Sequence, residues 1–441
     1  MTDEVIKKIN EKRAELDAIY TKYHNWEQGT KIMINSFYGG LANPYMYFFD
    51  PNLAECITKQ GKNAILYAER NINDYFLNHW YDDKETHRKM GITVSKPVKK
   101  QVTVYIDTDS VYSQLDEIIS TTDWCMSPDK NWRLDVVYKD GRKFATTFCG
   151  RKSKEYVIDF FKLEDDDVES YELTKVAGEP KDFAILLDDV FLSDYFKSIF
   201  NQYAKNINAD NYLNFELETY SDAGIWLSKK KYMQTIRWTD SMPRMDILDN
   251  FSKIKSKGVE LIQASSPTFA RKKLNYLVKW IFERDTFKIQ DFVSELKKVK
   301  EEMEILAESG NNIAEICWNK KATSYGNWVL DDKTELVMKK GTPITTKGIA
   351  CYNYLLEHSQ YKNKYSRLTE GSKCKYYYCI GGISEMFAFE PGNYPREFAP
   401  KVDKNTMFSK IILNPINRIV KALGYNEIPS DLVILDITPL F

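Results

Sequence analysis

The sequence predicts an α+β fold, and three observations support it. Apolar residues recur at helical spacing over residues 4–26 and again beyond residue 257. The stretch Val102 to Ser113, VTVYIDTDSVYS, sets two alternating apolar runs on either side of a tight turn and reads as a β-hairpin. With 441 residues, 43% of them apolar and 14% aromatic, the chain can bury more than one core, so two or three domains are expected.

Val5, Ile9, Leu16, Ile19, Tyr20 and Tyr23 give an amphipathic helix over residues 4–26 that leads towards a second helix at Lys31. In that second helix, at about 100° per residue, Lys31, Asn35 and Tyr38 project from one face. Ile32, Met33 and Phe37 point elsewhere and are expected to pack. Gly39-Gly40 is expected to end the helix and let another backbone come close. Two readings of the polar face stand. A lysine beside helical donors suits polyphosphate oxygens, with the tyrosine under a base or sugar, or the face is simply solvated.

Asp50-Pro51 reads as an N-cap followed by proline at the first helical position. It opens a helix through about Asn78, with Leu53, Ile57, Ala64, Ile65, Ala68 and Ile72 inward. A loop from Tyr81 to Lys100 then delivers the chain to the hairpin, where Val102, Val104 and Ile106 share one face. The turn carries Asp107 and Asp109, 76 and 78 residues beyond Lys31. Carboxylates at such a turn either solvate it or hold a hard cation against a phosphate-bearing substrate.

Residues 121–182 look like a β-rich insertion. Leu134 to Tyr138 and Lys143 to Phe148 flank an Asp140-Gly141 hairpin signal, and a second pair, Tyr156 to Phe161 and Tyr171 to Val176, flanks the acidic run Glu164 to Glu169. Beyond Lys257 the pattern turns helical. Ser266-Pro267 opens a helix with Leu274, Leu277, Val278, Ile281 and Phe282 on one side, and Ile289, Phe292, Val293, Leu296, Val299, Met303 and Leu306 mark another.

The net charge of −1 gives no hint of nucleic acid, but its distribution does. Glu155 to Asp222 holds 17 acidic and 5 basic residues, whereas Lys229 to Lys300 holds 17 basic and 8 acidic, a swing from −12 to +9. The basic half fits a DNA backbone track, and equally a soluble charged helix surface. Cys374 and Cys379 share a segment, but no His or further Cys stands at zinc-like spacing, so reduced thiols in a cytosol are the simple reading. No signal peptide and no apolar run of about 18 residues is present, which argues against secretion and a membrane span.

Two motifs together match a family. KxxxNSxYG, from Lys31 through Asn35, Ser36, Tyr38 and Gly39, followed by the DTDS turn of Asp107, Thr108, Asp109 and Ser110, resembles the second and third polymerase motifs of family B DNA polymerases, closest to the T-even phage enzymes. The likeness continues from Tyr47 to Tyr75, similar to the family's long palm helix, and in Lys229-Lys230-Lys231-Tyr232, similar to its KKRY element. It lapses between Thr121 and Asp182, and the spacing from Asp109 to Lys229 exceeds what the family requires by about 40 residues.

The resemblance implies a right-hand polymerase fold: an antiparallel palm sheet with packed helices, a helical fingers arm and a mainly helical thumb. Residues 1–40 would be the C-terminal half of the fingers, 41–120 and 183–256 the palm, and 257–441 the thumb and tail. It implies a nucleotidyltransferase with two Mg²⁺ ions about 3.5 to 4 Å apart stabilising the entering and departing oxygens. Asp109 would be a metal ligand, Asp107 would help shape the metal site near the primer end, and Thr108 would set the turn. Lys31, Asn35 and Ser36 would hold the nucleotide, and Tyr38 with Gly39 would line the minor-groove side of the new pair.

Lys229, Lys230, Lys231 and Tyr232 would track primer and template as alternate strand residues, with Lys231 where the family often has Arg, a loss of bidentate phosphate geometry. Glu216 and Glu218 sit where the family carries auxiliary acidic residues. Substrates would be primer-template DNA and dNTPs, in the cytoplasm of an infected bacterium, with no membrane role. The apolar end from Leu432 to Phe441 is either a sliding-clamp tether, with Leu440 and Phe441 filling its pocket, or a buried last strand.

The family's upstream metal-binding aspartate and its exonuclease carboxylates have no counterpart in these residues. The expectation is therefore a C-terminal part of a split polymerase that depends on an N-terminal polymerase/exonuclease chain. Two other classes stay open: a non-catalytic primer-template binding subunit, and an interaction scaffold without a DNA role.

Overall fold

In the computed structural model of the protein, Asp3–Leu41 forms one continuous helix, α1. The structure describes residues 3–122, 124, 135–139, 142–146, 180–242, 251, 253–259, 263, 265–284, 286–310, 312–329 and 337–434. The two helices expected up to residue 40 are thus one, and it ends at Leu41, one residue beyond the expected Gly39-Gly40 stop. Gly40 is needed for close approach: a Cβ there would meet the Phe48 ring at 2.4 Å, and that ring stacks on Phe37 at 4.8 Å. The approach is by an aromatic side chain, not by a second backbone. Ile32 and Met33, expected to pack, are instead exposed, and Phe37 is covered by Phe48 on one side.

The chain divides into two units, Met1–Glu216 and Leu217–Phe441. In the first, Asp50 caps the next helix, α2 (Pro51–Asp74), by accepting the Leu53 N–H at 3.0 Å. Ala64, Ile65, Ala68 and Ile72 are buried, whereas Leu53 and Ile57, expected inward, are exposed on the first turns. The helix continues as a π-turn through Tyr75–His79. The loop expected from Tyr81 to Lys100 contains a short helix, α3 (Lys84–Met90), which Asp83 caps through the Thr86 N–H. Then come β1 (Thr103–Asp107), β2 (Ser110–Ser113) and the short α4 (Asp116–Ser120).

Of the insertion, β3 (Asp135–Lys139) pairs antiparallel with β4 (Arg142–Thr146), with Lys139 opposite Arg142, while the expected Asp140-Gly141 turn lies outside the described residues. The second expected pair and the acidic run also lie outside them. Helices α5 (Pro180–Leu187) and α6 (Ser193–Asn206) are joined by a π-turn at Asp188–Leu192, with α5 packing on α4 and α6 on α2. The two π-turns meet where Tyr75 stacks on Phe191 at 4.2 Å. Around them Phe76, Trp80, Trp124 and Phe183 are fully buried, each stabilising the unit by about 1.5–3 kcal/mol.

The second unit opens with β5 (Thr219–Tyr220), β6 (Gly224–Ser228), β7 (Lys231–Ile236), β8 (Trp238–Thr239) and β9 (Lys253–Lys257). β6, β7 and β9 form an antiparallel sheet with β7 central, and β5 pairs β8. The expected helices follow as α7 (Thr268–Phe282) and α8 (Ile289–Ser309), and the apolar rows assigned to them are buried or half-buried as expected. β10 (Trp318–Lys321), α9 (Ile344–Glu357), β11 (Lys373–Ile380), β12 (Met386–Phe389) and β13 (Lys401–Val402) come next, then α10 (Lys404–Phe408) and α11 (Asn414–Ala422). A four-stranded antiparallel sheet thus lies in the region expected to be mainly helical. Cys374 and Cys379 are buried on β11, where burial pushes their thiols up to about 11 and about 12. Every pairing between named strands is antiparallel, so the α+β class holds. Among the described residues no helix is long and apolar enough to cross a membrane.

Candidate active site and nucleic-acid interface

Asp107 and Asp109 are held apart by the shortest kind of turn. Asp107 pairs with Ser110, leaving Thr108 and Asp109 as a two-residue loop. Thr108 has φ +56°, and the Asp109 N–H donates to the Asp107 carbonyl at 2.6 Å, a three-residue γ-turn. A β-branched residue in that conformation stores about 1–3 kcal/mol of strain, which persists only where surrounding contacts fix it. The Thr108 hydroxyl donates to Asp107 Oδ1 at 3.2 Å, and the Ser110 hydroxyl lies 3.3 Å from Asp109 Oδ1. The turn thereby separates two neighbouring carboxylates: Asp107 is 5% exposed, and Asp109 faces solvent.

The hairpin is anchored from below. Asn73 of α2 accepts the Thr103 N–H at 3.0 Å, and both oxygens of Glu117 on α4 accept the N–H groups of Lys99 and Lys100 at 3.0 Å. Neither Asn73 nor Glu117 stood out in the sequence, where both read as ordinary polar helix positions. Val102 and Val104, expected on one face, differ in exposure, Val102 buried and Val104 exposed, because the ladder shifts register between Thr103 and Tyr105 and breaks the alternation.

Asp83 stabilises the layer beneath. Burial alone would raise its carboxyl, but hydrogen bonds from the Tyr75 hydroxyl at 2.6 Å and from Thr86 hold it below the usual carboxylate range.

Lys31, Asn35, Ser36, Tyr38 and Gly39 all lie on the exposed C-terminal part of α1. Lys31, Asn35 and Tyr38 share a helix face as expected. The Ser36 hydroxyl is turned back to the Ile32 carbonyl at 2.8 Å. The hairpin packs on α2.

Lys229 and Lys230 do not occupy a strand. They form the two-residue turn between β6 and β7, with Lys230 at φ +60°, so the expected alternation of Lys229 and Lys231 against Lys230 and Tyr232 does not hold. Lys231 opens β7, and Tyr232 is 2% exposed, a packing residue opposite Trp226 and Lys257. Gly258, at φ +66°, was missed: a Cβ there would lie 2.0 Å from the Lys230 carbonyl oxygen. A lone glycine closing a lysine-rich strand was the available signal. At the other end of β7, the Thr235 hydroxyl and Arg237 both engage Asp222.

Glu216 is exposed and accepts from the Asn214 amide at 2.6 Å, and Glu218 is exposed with its carbonyl taking the Asp240 N–H. Leu432 is buried in the second unit's core, while Leu440 and Phe441 lie outside the described residues. Among the described residues no group of three or more His, Cys, Asp or Glu side chains could hold a metal ion.

Residues 4–124 match the family DNA polymerase family B. Over that stretch the chain is similar to family B DNA polymerases. It is 31% identical over 113 residues to the DNA-directed DNA polymerase of Escherichia phage RB69, a match covering 26% of this chain and 11% of that protein. To the DNA-directed DNA polymerase of Enterobacteria phage T4 it is 23% identical over 291 residues, 64% of this chain and 26% of that protein. The chain therefore spans about a quarter or less of the length of these relatives. The family match encloses the Lys31 face and the aspartate turn alike.

Proposed function

We propose that the chain carries part of the nucleotidyl-transfer site of a template-directed DNA polymerase, with primer-template DNA and dNTPs as substrates. The observation that carries this reading is the occurrence, within one family B stretch, of the Lys31–Asn35–Tyr38 face and a strained turn that exposes Asp109 while burying Asp107. Extension of a strand is attack by a 3′ hydroxyl on an α-phosphate with loss of pyrophosphate. Two Mg²⁺ ions would supply charge stabilisation for the entering and departing oxygens.

Asp109, exposed at the tip, fits a cation ligand. Asp107 fits a positioning role, since its carboxylate is enclosed and takes the Thr108 hydroxyl. Lys31 offers a point charge to the triphosphate, Asn35 an amide, and Tyr38 a flat surface for base or sugar. One exposed carboxylate does not complete a two-ion site. The remaining oxygens come from polypeptide beyond these residues, joined to this chain or supplied as a separate polymerase/exonuclease partner. Glu216 and Glu218 would be auxiliary acidic groups, and the end containing Leu440 and Phe441 a sliding-clamp contact.

The test is template dependence. The chain, assembled with the polypeptide that supplies the missing carboxylate, is given a primer-template and each dNTP singly. Incorporation of the complementary nucleotide alone is expected, with Lys31→Ala raising its apparent KM. Primer-template binding without incorporation would leave only a DNA-binding subunit.

A further inference from the structure

The backbone-binding surface assigned to Lys229, Lys230 and Lys231 is extended by a strand that the family likeness did not single out. In β9, Lys253, Lys255 and Lys257 are exposed, while the alternate residues Ile254 and Ser256 are half-buried, with Ile254 packed against the core of the second unit. Alternation thus turns three lysines outward in one row, with a two-residue rise of about 6.8 Å between successive stems. Among the described residues neither Lys253 nor Lys255 is held in an ion pair. The row is continuous with the turn: Lys257 lies opposite Tyr232, and Gly258 brings the end of β9 against the Lys230 carbonyl. The turn of Lys229 and Lys230 and the row of Lys253, Lys255 and Lys257 thus lie on adjacent segments, whereas Lys231, next to Tyr232 in β7, turns to the other face of the sheet.

We propose that Lys253, Lys255 and Lys257 are a phosphate track for one strand of the primer-template duplex, prolonging the turn of Lys229 and Lys230. This rests on the DNA-polymerase reading above. The row gives charge without base contacts, so it sets affinity and register rather than sequence preference. β9 is also an end strand of its sheet, and edge lysines can serve only to block edge-to-edge pairing. The two roles differ in what they do to salt dependence.

The experiment measures primer-template binding from 50 to 200 mM salt for the full chain, for K253Q/K255Q/K257Q and for K253R/K255R/K257R. Three lost phosphate contacts lower the slope of log affinity against log salt by about 2.7, so the affinity lost over that range shrinks by roughly 40-fold. The arginine variant keeps the parent slope, and its folding guards against a trivial loss in the glutamine variant. A parent-like slope in the glutamine variant, with or without self-association, overturns the track. Failure of the parent chain itself to bind duplex overturns instead the polymerase reading on which the track depends.

Discussion

Replacing Gly258 by alanine is expected to destabilise the second unit by about 2–4 kcal/mol and to displace the lysine turn. Two costs combine. The residue sits at φ +66°, where a Cβ costs about 1–2 kcal/mol. The new Cβ would also fall 2.0 Å from the backbone carbonyl oxygen of Lys230, so main chain must move, and overpacking of that kind costs about 1–3 kcal/mol. Reduced freedom of the unfolded chain returns about 0.4–1 kcal/mol. Gly341 is the internal control, because its φ of +86° carries the same conformational cost while a Cβ there meets nothing within 4 Å. Gly341→Ala should therefore cost only about 0.5–1.5 kcal/mol. Urea unfolding followed by tryptophan fluorescence separates the two. With m of roughly 2–3 kcal/mol/M, the Gly258→Ala midpoint falls by about 1 M and the Gly341→Ala midpoint by less than half of that. Equal midpoints would refute the close approach of β9 to the lysine turn.

Three further outcomes follow from the first unit. Asp83→Ala removes the cap of α3 and the partner of the Tyr75 hydroxyl, so urea unfolding at pH 7 should show a loss of about 1–3 kcal/mol. Because the folded Asp83 carboxyl is held below its ordinary range, its ionic contribution is fully present above about pH 4 and is lost as pH falls through the lower folded value. The stability gap between the parent and Asp83→Asn should be constant from pH 5 to 7 and narrow below pH 4. Asp107→Ala, which removes a buried carboxylate that helps fix the strained turn, should cost about 1–3 kcal/mol, whereas Asp109→Ala at the exposed tip should stay within about 0.5 kcal/mol of the parent by the same unfolding assay.

Much of the local structure was legible because local chemistry dictated it. Asp50-Pro51 could only open a helix, the alternation around Asp107 and Asp109 could only be a hairpin, and the apolar rows from Leu274 to Met303 could only be helical core. What misled was chemistry whose meaning depends on distant partners. Gly40 reads as room for a second backbone until the Phe48 ring is seen to occupy the space it leaves. Leu53, Ile57, Ile32 and Met33 have the spacing of buried residues and are exposed, since spacing says which face is apolar and not whether anything covers it. Lys229 and Lys230 read as strand because a turn residue in the left-handed region, as Lys230 is, is normally Gly, Asn or Asp. The candidate site divides in the same way. Its residue types and order were readable, but the burial of Asp107, the exposure of Asp109 and the support from Asn73, Glu117 and Gly258 come from contacts between segments far apart in the chain.

The most direct test of the central claim is the single-turnover rate of nucleotide addition by the assembled protein carrying Asp109→Asn, measured beside its affinity for primer-template. If Asp109 ligates a catalytic cation, several kcal/mol of transition-state stabilisation disappear, and the rate falls by a factor on the order of 10³ or more while duplex affinity stays within about twofold. A rate equal to that of the parent would contradict the account.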